Sequence, residues 1–215
     1  MKVCNYFNVQ TGNKYADVVV GAYKSGTVVY IPARPVIQLE SDISFTPQYI
    51  DLDKKTCQWS PPESTKAVQV PCVMLEYCFE YKGQSVPDTI EVEIAIRLDV
   101  RQPKSRRHFF LETDDSQFFD TVELNKENRF CLYKMTYVRP DIRDKLTSME
   151  AEMTLRLSIN QQGPGSGPIL DAYRQYNSST TLTIYKDCGS DSVCNPDLQL
   201  TAKTYLYSNK INKIK

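Results

Sequence analysis

Apolar and polar positions alternate with a period of two along several stretches of the chain. Ile90, Val92, Ile94, Ile96, Leu98 and Val100 are interleaved with Glu91, Glu93, Ala95, Arg97 and Asp99, which predicts one long strand with an apolar face and a mostly polar face. The same alternation returns at Val73, Leu75, Tyr77 and Phe79. It returns again at Met153, Leu155, Leu157 and Ile159, and at Thr180, Leu182 and Ile184. Turn-forming clusters separate these runs: Lys82-Gly83-Gln84, Arg101-Gln102-Pro103, and the glycine- and proline-rich segment 161–168. A helical spacing is not sustained over ten residues anywhere, and only a short turn is expected near Asp141 to Leu146. Strands with one apolar side, joined by turns, predict an all-β chain folded as an antiparallel β-sandwich. Fourteen tyrosines agree with that composition.

The first 33 residues follow a different plan. Val18-Val19-Val20 and Thr27-Val28-Val29-Tyr30-Ile31 flank a turn at Lys24-Ser25-Gly26. That predicts a tight hairpin, too small to be stable alone, that reads as the tail of another sheet. Pro32 and Pro35 separate it from the larger body, so the boundary falls near Arg34.

Composition narrows the functional classes. The 215 residues carry 26 Lys+Arg against 26 Asp+Glu and one histidine, His108. A chain of zero net charge has no electrostatic footprint for nucleic acid or for an anionic membrane surface. The apolar fraction of 41% is enough to build a core. No apolar run is long enough to span a bilayer, and no apolar segment follows Met1-Lys2-Val3-Cys4-Asn5 as in a secretory signal. Six of the seven cysteines fall in close or suggestive pairs (Cys57 with Cys72, Cys188 with Cys194, and Cys78 with Cys131 remaining), which leaves Cys4 as the odd one. Such usage is typical of oxidising compartments. Together these features lead us to expect a piece of a longer extracellular chain.

Candidate chemistry is sparse. The polar loop before the hairpin suggests an oxygen-ligand calcium loop, but its alternate positions are Val9, Thr11, Asn13, Tyr15 and Asp17. Only Asn13 and Asp17 among these are good ligands, and a plain turn is the alternative. In Cys188-Gly-Ser-Asp-Ser-Val-Cys194, a bridge between the end cysteines would close a small ring with carbonyls turned outward around Asp191. That is an incomplete calcium shell, and the alternative is a simple staple. Zinc is disfavoured, because there is no CxxC pair and His108 has no partner at ligand spacing. His108, in Arg106-Arg107-His108-Phe109-Phe110-Leu111, is expected at a strand edge. No nucleophile elbow, zinc-protease motif or phosphate loop is present, and Asp114-Asp115 is expected in a turn, so the chain is expected not to be an enzyme. Asn177-Ser178-Ser179 is the only glycosylation sequon.

Tyr15-Ala16-Asp17-Val18-Val19-Val20-Gly21-Ala22 resembles the end of an FG-GAP repeat, the blade unit of the integrin alpha-subunit β-propeller. Ala33-Arg34-Pro35-Val36-Ile37 is similar to the junction between that propeller and the immunoglobulin-like thigh domain. Lys55-Thr56-Cys57, the Cys72 to Cys78 interval, Arg106-Arg107 with Phe110-Leu111, and Arg143-Asp144-Lys145-Leu146-Thr147 resemble thigh landmarks. Asp187-Cys188-Gly189 through Cys194-Asn195-Pro196-Asp197-Leu198-Gln199-Leu200 resembles the knee and the entry into the first calf domain.

The resemblance implies three parts: a propeller remnant over 1–33, an immunoglobulin-like sandwich of the integrin thigh type over 34–187, and a knee loop with the first calf strand over 188–215. It implies disulfides Cys57–Cys72, Cys78–Cys131 and Cys188–Cys194. It also implies a knee calcium held by the carbonyls of Cys188 and Val193 and the carboxylate of Asp191, completed by a ligand beyond Lys215. The implied function is that of a leg segment: a rigid spacer and hinge in a cell-surface adhesion receptor. Such a receptor pairs with an integrin beta subunit and meets extracellular matrix or cell-surface ligands through a head that this chain lacks. A stand-alone secreted sandwich binding protein or glycan through its loops is the competing reading, and a small carboxylate hydrolase is the third.

Overall fold

A computed structural model of the chain describes residues 14–22, 25–61, 66–158, 167–186 and 200–203. The described residues are strands, turns and loops, with no helix among them. They form two five-stranded sheets and two small two-stranded ribbons.

The first sheet is ordered β13 (Ile169–Leu170), β3 (Val36–Thr46), β7 (Cys72–Lys82), β11 (Phe130–Val138) and β9 (His108–Phe110). The second is ordered β10 (Gln117–Asn125), β8 (Thr89–Arg97), β12 (Met149–Leu157), β14 (Asn177–Ile184) and β4 (Tyr49–Ile50). Pairing is antiparallel except at two edges, where β13 runs parallel to β3 and β14 parallel to β4. The ribbons are β1 (Val18–Ala22) with β2 (Thr27–Ile31), and β5 (Cys57–Trp59) with β6 (Val68–Val70). From β3 onward, leaving the β5–β6 ribbon aside, successive strands alternate between the two sheets.

The core is the set of inward positions that the alternation picks out. Val73, Leu75, Tyr77, Phe79 and Tyr81 of β7 face Ile90, Val92, Ile94 and Ile96 of β8 and the buried methionines and leucines of β12. Each fully buried aliphatic or aromatic side chain of this kind contributes about 1.5–3 kcal/mol. The turn after β7 needs its glycine, because a Cβ on Gly83 would stand 2.4 Å from the Val36 carbonyl oxygen.

Three of the long strands escaped the periodicity reading, each for a physical reason. In β3, the polar Ser41 interrupts the apolar face between Leu39 and Ile43. In β11, the outward side is partly covered, so Leu132, Met135, Tyr137 and Val138 leave no two-fold signal. β10 is an edge strand with polar residues on both sides.

Two expectations are corrected. The two-fold run predicts that Asp99 and Val100 continue β8, with Asp99 on its mostly polar face. The strand stops at Arg97, and Asp99 is fully buried with φ of 50°. His108 does lie on an edge strand, but it is completely buried, because the opposite sheet and Phe45 cover that edge.

Candidate functional site

The residues expected to hold a knee calcium, Cys188, Asp191 and Val193, lie outside the described residues, as do Cys194, Cys4 and Asn13. Asp17 lies within them and is 2% exposed. Its Oδ2 accepts a hydrogen bond from the Tyr30 hydroxyl at 2.8 Å, and its Oδ1 accepts one from the Ala33 amide at 2.8 Å. Asp17 therefore ties β1 to the far strand of its hairpin and to the segment leading into β3. Tyr15, the first residue of the stretch that resembles an FG-GAP repeat, continues the link. Its hydroxyl donates to the Gln84 carbonyl and accepts from the Val36 amide, both at 3.3 Å. The hairpin itself is open, with every residue of β2 exposed and Gly26 turning at φ of 64°.

Two disulfides are present among the described residues. Cys57 on β5 pairs with Cys72 at the head of β7, and Cys78 on β7 pairs with Cys131, its direct cross-strand neighbour on β11. A ligand-like group of Glu76, Cys78 and Cys131 lies here within 4.8 Å. Its sulfurs are spent in the bridge, and Glu76 accepts from the Tyr133 hydroxyl at 2.9 Å, so the group lacks the thiolates a soft metal needs.

The densest polar construction lies at one end of the sandwich, where 99–107 meets 139–147. The Arg107 guanidinium, 3% exposed, grips Asp99, 0% exposed, in a forked pair: Nε donates to Oδ2 at 2.9 Å and Nη2 to Oδ1 at 2.7 Å. The Arg107 amide adds a third bond to Oδ2. Nη1 donates to the carbonyls of Asp144 at 3.1 Å and Thr147 at 2.8 Å. This hydrogen bonding with Asp99 raises the Arg107 pKa further. Asp144 caps the second loop, and the amides of Thr147 and Leu146 hold its carboxyl far below the usual range. Arg139 lies over the Phe109 ring at 4.0 Å, and its neighbour Tyr137 donates to Asp114. Burial, then the bond to Asp114, pushes the Tyr137 phenol well up. Between the two loops lies a cleft of about 530 Å³, walled by Lys104, Arg106, Arg139, Arg143 and Asp141 among others. The partnership of Arg107, Asp99 and Asp144 is what sequence reasoning missed. Asp99 lies in the two-fold run and Arg107 and Asp144 in stretches that resemble thigh landmarks, but nothing in the sequence marks the three as partners.

The one hydroxyl–imidazole pair cannot do chemistry on an outside substrate. His108 Nε2 lies 2.8 Å from Thr136 Oγ1, and both residues are 0% exposed. The threonine hydroxyl donates to the Val73 carbonyl at 3.0 Å, so the proton between the pair belongs to Nε2. Burial lowers the His108 pKa to about 3, with lesser opposed effects from Asp99 and Arg107. The folded state thus keeps His108 neutral while the unfolded chain protonates it near 6.5. Its contribution is complete above pH 6.5 and is lost as pH falls from there toward 3, by about 1 kcal/mol per pH unit. Urea unfolding at pH 7.0 and 5.5 should show this fall, and His108→Gln should flatten it. An equal slope in both proteins would refute the assignment.

Asn177 is exposed and opens β14, paired with Thr154 of β12. Its sequon partner Ser179 is exposed on the same face.

Comparison with known proteins draws these features together. A family model described as integrin alpha Ig-like domain 1 matches residues 33–187. Integrin alpha-PS2 of Drosophila melanogaster is 30% identical over 212 residues, covering 92% of this chain and 15% of that protein. Human integrin alpha-8 is 33% identical over 198 residues, covering 89% of this chain and 18% of that protein. Chicken integrin alpha-V is 28% identical over 200 residues, with 89% and 19% covered. The chain thus spans less than a fifth of the length of these relatives. With the family model covering the whole two-sheet body and these relatives aligning over about nine-tenths of the chain, it belongs to the integrin alpha family.

Proposed function

We propose that the chain is the upper-leg segment of an integrin alpha subunit, a cell-surface adhesion receptor that works as a heterodimer with a beta subunit. The match of the family model to residues 33–187 carries this reading. The sandwich is suited to a spacer: its core is filled with side chains, two disulfides cross-link it, and a buried ion pair locks one end. Force or rotation applied at one end is then passed on as rigid-body movement rather than absorbed by deformation. In this reading ligand recognition belongs to the head of the receptor, no catalysis occurs here, and the hinge is the segment that carries Cys188 and Cys194. An effector shifts the bent-to-extended balance only by binding one state better.

The test is surface biotinylation of cells that express the protein, followed by purification of the chain. Recovery at the surface in equimolar complex with a beta subunit is expected. Recovery from the medium as a lone chain would instead favour the secreted-module reading.

The knee carries its own prediction. In an ectodomain that continues through the next domain, calcium titration should show a site that Asp191→Ala removes. Equal calcium affinity with and without that carboxylate would exclude the proposed ligand set. Non-reducing peptide mapping of the same protein should return a Cys188–Cys194 bridge beside the two described above.

A further inference from the structure

On the solvent face of the second sheet, four residues from four adjacent strands fall in one register row. Asn177 of β14 is opposite Thr154 of β12, Thr154 is opposite Ala95 of β8, and Ala95 is opposite Phe119 of β10. The row crosses the sheet in three inter-strand steps, about 14 Å. It begins at the only sequon and ends at a phenylalanine that is 68% exposed. The two residues between are small. The neighbouring rows are charged: on one side Arg97 Nη2 donates to Glu152 at 2.9 Å, and on the other Arg156 is opposite Glu93. The floor is therefore a shallow trough, low along the row and raised along both flanks. The orientation of β14 is pinned from behind, because the Ser178 hydroxyl donates to the Ser41 carbonyl at 3.0 Å on the side facing the other sheet. Asn177 and Ser179 must then point outward.

An exposed phenylalanine alone needs no explanation. One at the end of a trough that starts at a sequon has a specific use. We infer that Asn177 carries an N-linked oligosaccharide whose first sugars lie along the trough over Thr154 and Ala95 and stack on Phe119. The C–H faces of the sugar rings meet the negative face of the aromatic ring, and their hydroxyls reach the charged flanks. In the attachment step, Asn177 Nδ2 displaces a lipid diphosphate from C1 of a lipid-linked oligosaccharide. The N–C1 bond forms, the C1–O bond to phosphate breaks, the lipid diphosphate departs, and the amide proton is lost to base. The consequence is a sheet face shielded by sugar, so that this side of the spacer is closed to protein contacts while the opposite sheet stays open. The inference rests on the extracellular placement proposed above.

The test uses the chain secreted from eukaryotic cells grown on ¹³C-glucose. Glycopeptide mapping should place the glycan on Asn177, and Asn177→Gln should abolish it. In NMR spectra of the intact glycoprotein, C–H protons of the core sugars should be shifted upfield by the Phe119 ring, and Phe119→Ala should return them to their free-glycan positions. Enzymatic removal of the glycan should lower the melting temperature by about 2–4 °C, and this difference should vanish in Phe119→Ala. A glycan whose protons and melting shift are the same in both proteins points to solvent and overturns the inference. A chain recovered from the cell surface without sugar at Asn177 also overturns it, but leaves the proposed function intact. A chain that never enters the secretory pathway overturns both.

Discussion

Arg107→Met is expected to destabilise the sandwich by about 3–5 kcal/mol, the usual result of stripping one partner from a buried ion pair. The asymmetry is physical. Asp99 is 0% exposed, and its two oxygens take three hydrogen bonds from Arg107. Without the guanidinium the carboxylate is a buried group stripped of its partner, and the carbonyls of Asp144 and Thr147 lose their donor as well. A typical domain has only about 5–15 kcal/mol of stability, so a loss of this size is a large share. Adding Asp99→Asn to the first change should recover a substantial part of the loss, since a neutral amide is cheaper to bury than an unpaired charge and asparagine tolerates the left-handed backbone found there. Urea unfolding followed by the single tryptophan, Trp59, reads both proteins. A loss below about 1 kcal/mol for the single variant would mean the pair is not the lock that its geometry describes.

Loss of the Cys78–Cys131 bridge should come close to that effect. The bridged residues are 53 apart in sequence, against 15 for Cys57–Cys72. In the chain-entropy model the longer loop stabilises by about 4 kcal/mol and the shorter by about 3. Cys78→Ala with Cys131→Ala should therefore lower the denaturant midpoint further than Cys57→Ala with Cys72→Ala. Position reinforces the ranking, since the longer bridge joins β7 to β11 in the middle of the first sheet, whereas the shorter one holds the peripheral β5–β6 ribbon. Equal midpoints, or the reverse order, would show that the entropic account does not govern this fold.

The sandwich and its cross-links were legible at different levels. Period-two alternation at Ile90 to Leu98, at Met153 to Leu157 and at Val73 to Phe79 placed β8, β12 and β7 with their buried faces, because each strand meets core on one side only. β3 and β11 were not legible in the same way. Ser41 interrupts the inward face of one, and the other is partly covered outside by a bridge and its aromatic neighbours, which erases the polar half of the signal. Burial of His108 was hidden for a related reason, since an edge strand reads as exposed until another layer is known to cover it.

What the sequence determined by itself is local and repetitive: strands rather than helices, which face of the most regular strands is apolar, the absence of surplus charge, and a cysteine supply suited to an oxidising environment. Those properties depend on neighbours one or two residues apart. Everything that depends on residues far apart in the chain was decided by the tertiary structure. Within the two five-stranded sheets successive strands alternate between sheets, so each finds its hydrogen-bonding partners beyond the next strand in sequence. That is how Arg107, gripping Asp99, comes to meet the 144–147 loop, and how Asn177, Thr154, Ala95 and Phe119 fall into one row. No periodicity records such meetings, because they arise only when two sheets close over a common core.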